Sequence, residues 1–91
     1  MDKSSLRQTH PQILKRLKRA EGQVRSIITM LEAERPCLDI SQQLQAVESA
    51  IREAKKTLIH DHIDHCLQKT AAQGRPARAL VADLKQISKY L

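Results

Sequence analysis

Apolar side chains recur every seven residues along two stretches of this chain, and this repeat restricts the fold more than any other feature. Steps of three and four residues inside each repeat place the apolar side chains on one stripe of an α-helix. The stripe before Pro36 is formed by Leu6, Ile13, Leu17, Ala20, Val24, Ile27 and Leu31. The stripe after it is formed by Ile40, Leu44, Val47, Ile51, Ala54 and Leu58. The pattern predicts two long amphipathic helices.

Proline and glycine residues indicate where these helices begin and end. Pro36 disfavours helical geometry at the residue before it, so the first helix ends there. Pro11 is tolerated in a first turn, which places the firm start of this helix near it and leaves residues 1–9 flexible. The second helix is expected over residues 37–70, before a break at residues 71–76. The two long helices are expected to be antiparallel.

A short third helix follows the break and carries Leu80, Leu84, Ile87 and Leu91 on one face. The three helices are expected to have roughly 24, 34 and 15 residues. No strand pattern or internal repeat accompanies them. The sequence therefore predicts one all-α domain over residues 1–91, built from two long helices and a short C-terminal helix.

The small size of the chain favours self-association. Its 91 residues include no Phe, no Trp and one Tyr, so the core must be built from aliphatic side chains. A chain of this length buries a limited share of its surface and is usually helped by a metal, disulfides or oligomerisation. A helix of about 34 residues also needs a partner along most of its length. A dimer or tetramer is expected.

The charge of the chain favours a polyanionic partner. Sixteen basic residues against ten acidic ones give a net charge of +6, which points to nucleic acid. Double-stranded DNA is favoured, because single-strand binding by stacking requires aromatic side chains. No stretch approaches the roughly 20 apolar residues that span a bilayer, and the N-terminus lacks the apolar core of a signal peptide. A cytoplasmic protein without a membrane partner is expected.

Basic side chains are concentrated on the two long helices. Any one of them could belong simply to the solvated face of an amphipathic helix. Together, and repeated by oligomer symmetry, they predict a phosphate-binding surface. The candidates are Lys15, Arg16 and Arg19 on the first helix and Arg52, Lys55 and Lys56 on the second. No helix-turn-helix pattern is present, so recognition of a site would depend on DNA shape as well as base edges.

Residues 60–66, with the sequence His-Asp-His-Ile-Asp-His-Cys, contain the highest concentration of potential metal-binding side chains. His62 and Cys66 are four residues apart and share one helix face, so both could bind one metal ion. Cys37 lies 29 residues before Cys66, or about 43 Å along a helix axis. Only an antiparallel helix of a second subunit could bring it to the same ion. This predicts an intersubunit site, although a lone buried cysteine is more often a small apolar residue.

Three segments together resemble the CsoR/RcnR-type family of metal- and stress-sensing repressors. They are H-P-Q-I-L-K-R-L-K-R-A-E-G-Q-V-R, C-L-D-I-S-Q-Q-L-Q-A-V and L-I-H-D-H-I-D-H-C-L. The resemblance implies a three-helix subunit and a dimer containing a four-helix bundle, with dimers assembled into a tetramer. It also implies a non-enzymatic repressor that binds operator DNA without metal and is released by its inducer. Nothing in the chain supplies the substrate cleft of an enzyme.

The resemblance assigns roles to individual residues. The ligand set of the family matches Cys37, His62 and Cys66, and its DNA-contacting basic residues match Arg16 and Lys56. The chain departs from the copper branch because Pro36, Glu53 and Ala82 stand where a tyrosine, an arginine and a glutamate are usual.

The inducer is expected to be Ni(II) or Co(II), because the full run of residues is more similar to the nickel and cobalt members. His10 is the candidate additional nitrogen ligand, although a packed histidine is the alternative and Ser5 occupies the position of the N-terminal histidine ligand in some members. Cu(I) is the next candidate, since soft thiolates favour it. A dithiol sensor of persulfide or redox state, using Cys37 and Cys66, is a third.

Overall fold

Three α-helices make up the computed structural model, which describes residues 4–74 and 76–91. They are α1 (Ser4–Glu32), α2 (Cys37–Gln73) and α3 (Ala77–Ser88). Over these residues there is no β-strand. The predicted all-α fold of two long helices and a short C-terminal helix is therefore confirmed. None of the helices in the described residues is long and apolar enough to cross a bilayer.

The start of α1 differs from the position expected from the sequence. The helix begins at Ser4, so Pro11 lies inside it rather than in its first turn. Proline at that position lacks the N–H that would bond one turn back, a loss that the helix tolerates here. Residues 1–3 lie outside the described residues, and the flexible segment expected over residues 1–9 stays a prediction.

The end of α1 forms the turn that the sequence places before Pro36. The backbone N–H of Arg35 donates to the carbonyl of Met30 at 3.0 Å, and that of Glu34 donates to Leu31 at 3.1 Å. This pair of hydrogen bonds is the Schellman motif. Glu34 takes the left-handed position of the motif with a φ of 55°. The chain then turns into α2, where the N–H of Ile40 donates to the carbonyl of Pro36 at 3.2 Å.

Residues 11–55 form one compact unit, containing most of α1 and the first half of α2. Its core consists of Ala20, Ile27, Ile40 and Val47, with Met30 packed against them. The connection of four residues between the helices and this shared core make α1 and α2 antiparallel here. Each apolar stripe is only half buried. One set of positions, spaced by seven residues from Ile13 on α1 and from Ile40 on α2, is buried. The positions between them are exposed: Leu17, Val24, Leu31, Leu44 and Ile51.

The start of α1 up to His10 and residues from Lys56 to the C-terminus form a second unit. Among those of its side chains whose burial is described, Ile59, His65 and Cys66 are buried, and all three are on α2. Gly74 ends α2 with a φ of +66°, and α3 begins after Pro76. No residue of α3 is fully buried. Its half-buried face includes Leu80, Leu84 and Ile87, while Leu91 lies beyond the helix and is exposed.

Candidate metal centre

Two potential metal ligands meet on the last turns of α2. The structure brings His62 and Cys66 together, as their four-residue spacing predicts. The Sγ atom of Cys66 lies 3.5 Å from Nε2 of His62. Both side chains point along one helix face, because residues four apart lie about one turn from each other. This pair can present a nitrogen and a sulfur to one ion.

A carboxylate of α3 completes this cluster. The Cys66 thiol donates a hydrogen bond to Oδ2 of Asp83 at 2.7 Å, and Nε2 of His62 lies 3.0 Å from the same oxygen. One ligand atom from each of the three residues lies within 4.8 Å of the others. We call His62, Cys66 and Asp83 the donor cluster.

Asp83 is the residue that sequence reasoning missed. It lies three residues after Leu80 and four before Ile87, so it interrupts the apolar face of α3. An acidic side chain on an apolar face is a detectable signal, since a carboxylate that is partly withdrawn from water is usually paired. The partner itself is not visible in the sequence, because it depends on how α3 returns along α2.

The donor cluster is buried on one side and accessible on the other. Cys66 is 2% exposed. The side chains of His62 and Asp83 are 31% and 26% exposed. A metal ion could therefore reach the imidazole and the carboxylate from solvent and find the sulfur behind them. Imidazole nitrogen, cysteine sulfur and carboxylate oxygen are established ligand types for transition-metal ions, so these residues fit a metal.

The other candidate ligands do not belong to this cluster. Cys37 is the first residue of α2 and is exposed, as is His10 on α1. His65 is 7% exposed and lines a small concavity with Gln68, Lys69, Ala72 and Gln73. His60 is exposed.

Asp61 connects the start of α1 to the turn of α2 that carries His62. The side chain of this residue is half-buried. Its Oδ2 accepts a hydrogen bond from the Thr9 hydroxyl at 2.8 Å. Thr9 lies inside α1 and bonds across to α2. The residue next to His62 is thus joined to the helix that carries Lys15, Arg16 and Arg19.

The basic residues selected from the sequence are all exposed. Lys15, Arg16 and Arg19 line a shallow concavity on α1 together with Gln12. Arg16 and Arg19 also line an adjoining concavity with Ala50 and Glu53 of α2, so an acidic side chain borders the basic surface. On α2, Arg52 forms an ion pair with Glu48 at 3.4 Å. Lys55 and Lys56 follow on the same helix.

Three helices, basic side chains on α1 and a mixed-donor cluster at the junction of α2 and α3 define a small helical protein with a candidate metal site. A family model described as "Metal-sensitive transcriptional repressor" matches residues 9–91. The chain belongs to this family of metal-sensing repressors, which confirms the resemblance to the CsoR/RcnR type. Its relatives are transcriptional repressors and not enzymes.

Individual relatives respond to different metals. The copper-sensing repressor RicR of Mycobacterium tuberculosis is 44% identical over 62 residues, which are 68% of this chain and 65% of RicR. The copper-sensing repressor CsoR of Bacillus subtilis is 39% identical over 79 residues, covering 87% of this chain and 78% of CsoR. Among solved structures, the nickel-responsive regulator InrS has a TM-score of 0.80 at 30% identity, covering 87% of this chain and 88% of InrS.

Proposed function

We propose that this chain represses transcription in the cytoplasm by binding operator DNA in its metal-free form, and that Ni(II) or Co(II) releases it. The regulated gene would encode a metal-efflux function. The observation that carries the proposal is the donor cluster, because it unites three ligand types in a chain of the metal-sensing repressor family. Self-association into dimers and a tetramer belongs to the same proposal.

The proposed metal site joins residues of two subunits. His62 and Cys66 supply a nitrogen and a sulfur, and Cys37 of a second copy supplies another sulfur across the subunit interface. His10 is proposed as an additional nitrogen ligand. The support for Cys37 is its place at the opposite end of α2 and its exposure, which leaves the thiol open to a second chain. The metal, once bound, supplies a positive charge that fixes the positions of these side chains.

The proposed DNA surface consists of Lys15, Arg16, Arg19, Arg52, Lys55 and Lys56. Its support is the net charge of +6 and the concavity that three of these residues line on α1. Phosphate contacts by lysine and arginine give a salt-dependent affinity that does not itself specify sequence.

The hydrogen bond from Thr9 to Asp61 supports a physical connection between the proposed metal site and the proposed DNA surface. His62 follows Asp61 directly, and Thr9 belongs to the helix that carries Arg16. Movement of the His62 turn would therefore reach α1 and change the spacing of its basic side chains. Coupling between a metal site and a DNA surface requires about 1–3 kcal/mol in allosteric proteins of this kind.

The choice of Ni(II) or Co(II) is supported by the oxygen donor of Asp83 and by the likeness to nickel-responsive InrS. Cu(I) is the second candidate, because RicR and CsoR sense copper and soft thiolates favour Cu(I). A dithiol sensor using Cys37 and Cys66 remains the alternative of another class.

The test is a DNA-binding assay with metal-free protein, followed by Ni(II), Co(II) and Cu(I) under anaerobic conditions. We expect Ni(II) and Co(II) to lower operator affinity by about 5- to 150-fold. His62→Ala should abolish this release, whereas His60→Ala, the matched control at an exposed position of the same helix, should retain it.

Each alternative predicts a different result in the same assay. Release by Cu(I) alone would replace nickel and cobalt with copper as the inducer. Release of the His62→Ala variant by persulfide, with no response of the parent protein to metal, would show a dithiol sensor. Metal-free protein that binds the operator no more tightly than metal-loaded protein would refute the proposed repressor.

A further inference from the structure

We infer that Asp83 of α3 binds the metal directly and is the residue that makes this chain prefer Ni(II) and Co(II) to Cu(I). The inference rests on the proposed function, because it deepens the description of the same site. It adds a third helix and an oxygen donor to a site otherwise built from histidine and cysteine.

The distances in the donor cluster suit a shared ion. Ligands bound to one metal at roughly 2.0–2.3 Å lie about 2.8–3.7 Å from one another. The separation of 3.5 Å between Cys66 Sγ and His62 Nε2 falls in this range, as does the 3.0 Å between His62 Nε2 and Asp83 Oδ2. The 2.7 Å between Cys66 Sγ and Asp83 Oδ2 lies below this range, so these two atoms would have to move apart by several tenths of an ångström to share an ion.

Asp83 is the only carboxylate in the cluster found among the described residues. Asp61 accepts the hydroxyl of Thr9, and Asp64 is exposed. One oxygen of Asp83 faces both the imidazole and the thiol, so the same atom that orders these side chains is placed to bind an ion between them. Loss of the Cys66 proton on metal binding frees Oδ2 from its hydrogen bond.

The chemistry of the carboxylate accounts for the metal preference. Carboxylate oxygen is a hard ligand, whereas Cu(I) is selected by soft thiolates. Cu(I) would be satisfied by His62, Cys66 and the Cys37 of a second copy, and would gain little from an oxygen. Ni(II) and Co(II) accept mixed nitrogen, oxygen and sulfur ligands, so Asp83 would strengthen their binding selectively.

Asp83→Asn tests this inference because it keeps the size of the side chain and removes its charge. Asp64→Asn is the matched control, since it removes an exposed carboxylate two residues from His62. Affinities for Ni(II), Co(II) and Cu(I) are measured on the full chain by anaerobic competition with chelators, without DNA. Circular dichroism of the metal-free variants shows whether each still folds.

We expect Asp83→Asn to lower the affinity for Ni(II) and Co(II) by more than about 100-fold, because the loss of a residue that only orients a ligand already costs about 10- to 100-fold. The affinity for Cu(I) should change by less than about threefold. Asp64→Asn should leave all three affinities within about twofold, since exposed charges contribute little. Asp83→Glu, which restores the carboxylate, should recover part of the loss, and the ligand-field absorption of Co(II) should differ between the parent and Asp83→Asn.

An equal fall in affinity for all three ions would overturn the inference, as would an unchanged affinity for Ni(II). If Asp83→Asn does not fold, the inference is tested with Asp83→Glu, whose metal affinities and Co(II) absorption are compared with those of the parent protein. These measurements are independent of operator release: protein that binds Ni(II) through Asp83 without leaving DNA would refute the proposed function and uphold the inference.

Discussion

Glu34 and Gly74 each follow the end of a helix in a left-handed backbone conformation, but only Glu34 has a Cβ atom. Both have positive φ, 55° for Glu34 and 66° for Gly74. A left-handed conformation costs a residue with a Cβ roughly 1–2 kcal/mol, whereas glycine adopts it freely. The end of α1 therefore carries backbone strain that the end of α2 avoids.

Substituting glycine for Glu34 and alanine for Gly74 should change the free energy of unfolding in opposite directions. We expect Glu34→Gly to raise the free energy of unfolding by about 1 kcal/mol, because it relieves the strain of the turn. Gly74→Ala should lower it by roughly 1–2 kcal/mol. A Cβ at Gly74 would meet no atom within 4 Å, so the loss would come from the backbone alone. Urea unfolding at one fixed protein concentration measures both, and changes of the same sign would contradict this account.

Individual site residues differed in how far the sequence could predict them. The proximity of His62 and Cys66 follows from helical periodicity, which is a local property. Asp83 could not be assigned, because its contacts depend on the position of α3 after the turn at Gly74. The half-buried state of Asp61 escaped prediction for the same reason, since Thr9 is 52 residues away in the sequence.

At the scale of elements, the repeat of seven predicted the helices well and their ends less well. Pro36 gave the boundary between α1 and α2, because a proline acts on the residue directly before it. Pro11 predicts a start of α1 near it, but a proline can also lie inside a helix at the loss of one hydrogen bond, as it does here. The seven-residue repeat also does not show which of the alternating apolar positions on each helix are buried within one chain.

The concavity on α1 gives a prediction for DNA binding. Arg16 lines it, whereas Lys18, two residues further along the same helix, does not. We expect Arg16→Ala to lower operator affinity by about tenfold and to reduce the slope of log affinity against log salt by about 1. Lys18→Ala should change the affinity by less than about threefold. Fluorescence anisotropy at several salt concentrations measures both quantities.

Equal losses for Arg16→Ala and Lys18→Ala would show that the whole helix contributes only a general positive charge. Far-UV circular dichroism of both variants serves as the control for helix content, because both positions are exposed in α1.

At the scale of the whole molecule, the exposed half of the two stripes is the surface available to a second copy. In residues 11–55 the alternate apolar positions retain between 41% and 58% exposure: Leu17, Val24, Leu31, Leu44 and Ile51. Their spacing of seven is the one that packs helices of different chains side by side. Covering this surface would remove the apolar area that a single chain leaves in water.

Self-association through this surface predicts that Ile51→Lys shifts the protein towards monomer, because the substitution places a charge on it. Gln45→Lys is the matched control, as it adds the same side chain at an exposed polar position of α2. Sedimentation velocity over a range of concentrations measures the assembly. An unchanged sedimentation coefficient for Ile51→Lys would exclude this face from the interface.

The absence of any fully buried residue in α3 has a consequence for motion within the native state. An element that buries little apolar surface can open at a lower free energy than the rest of the protein. Asp83 links α3 to α2 through polar contacts with His62 and Cys66, so one of the three donors lies on a helix that buries little apolar surface. We expect an ion bound by all three donors to oppose local opening of α3, which would couple metal binding to the order of this helix.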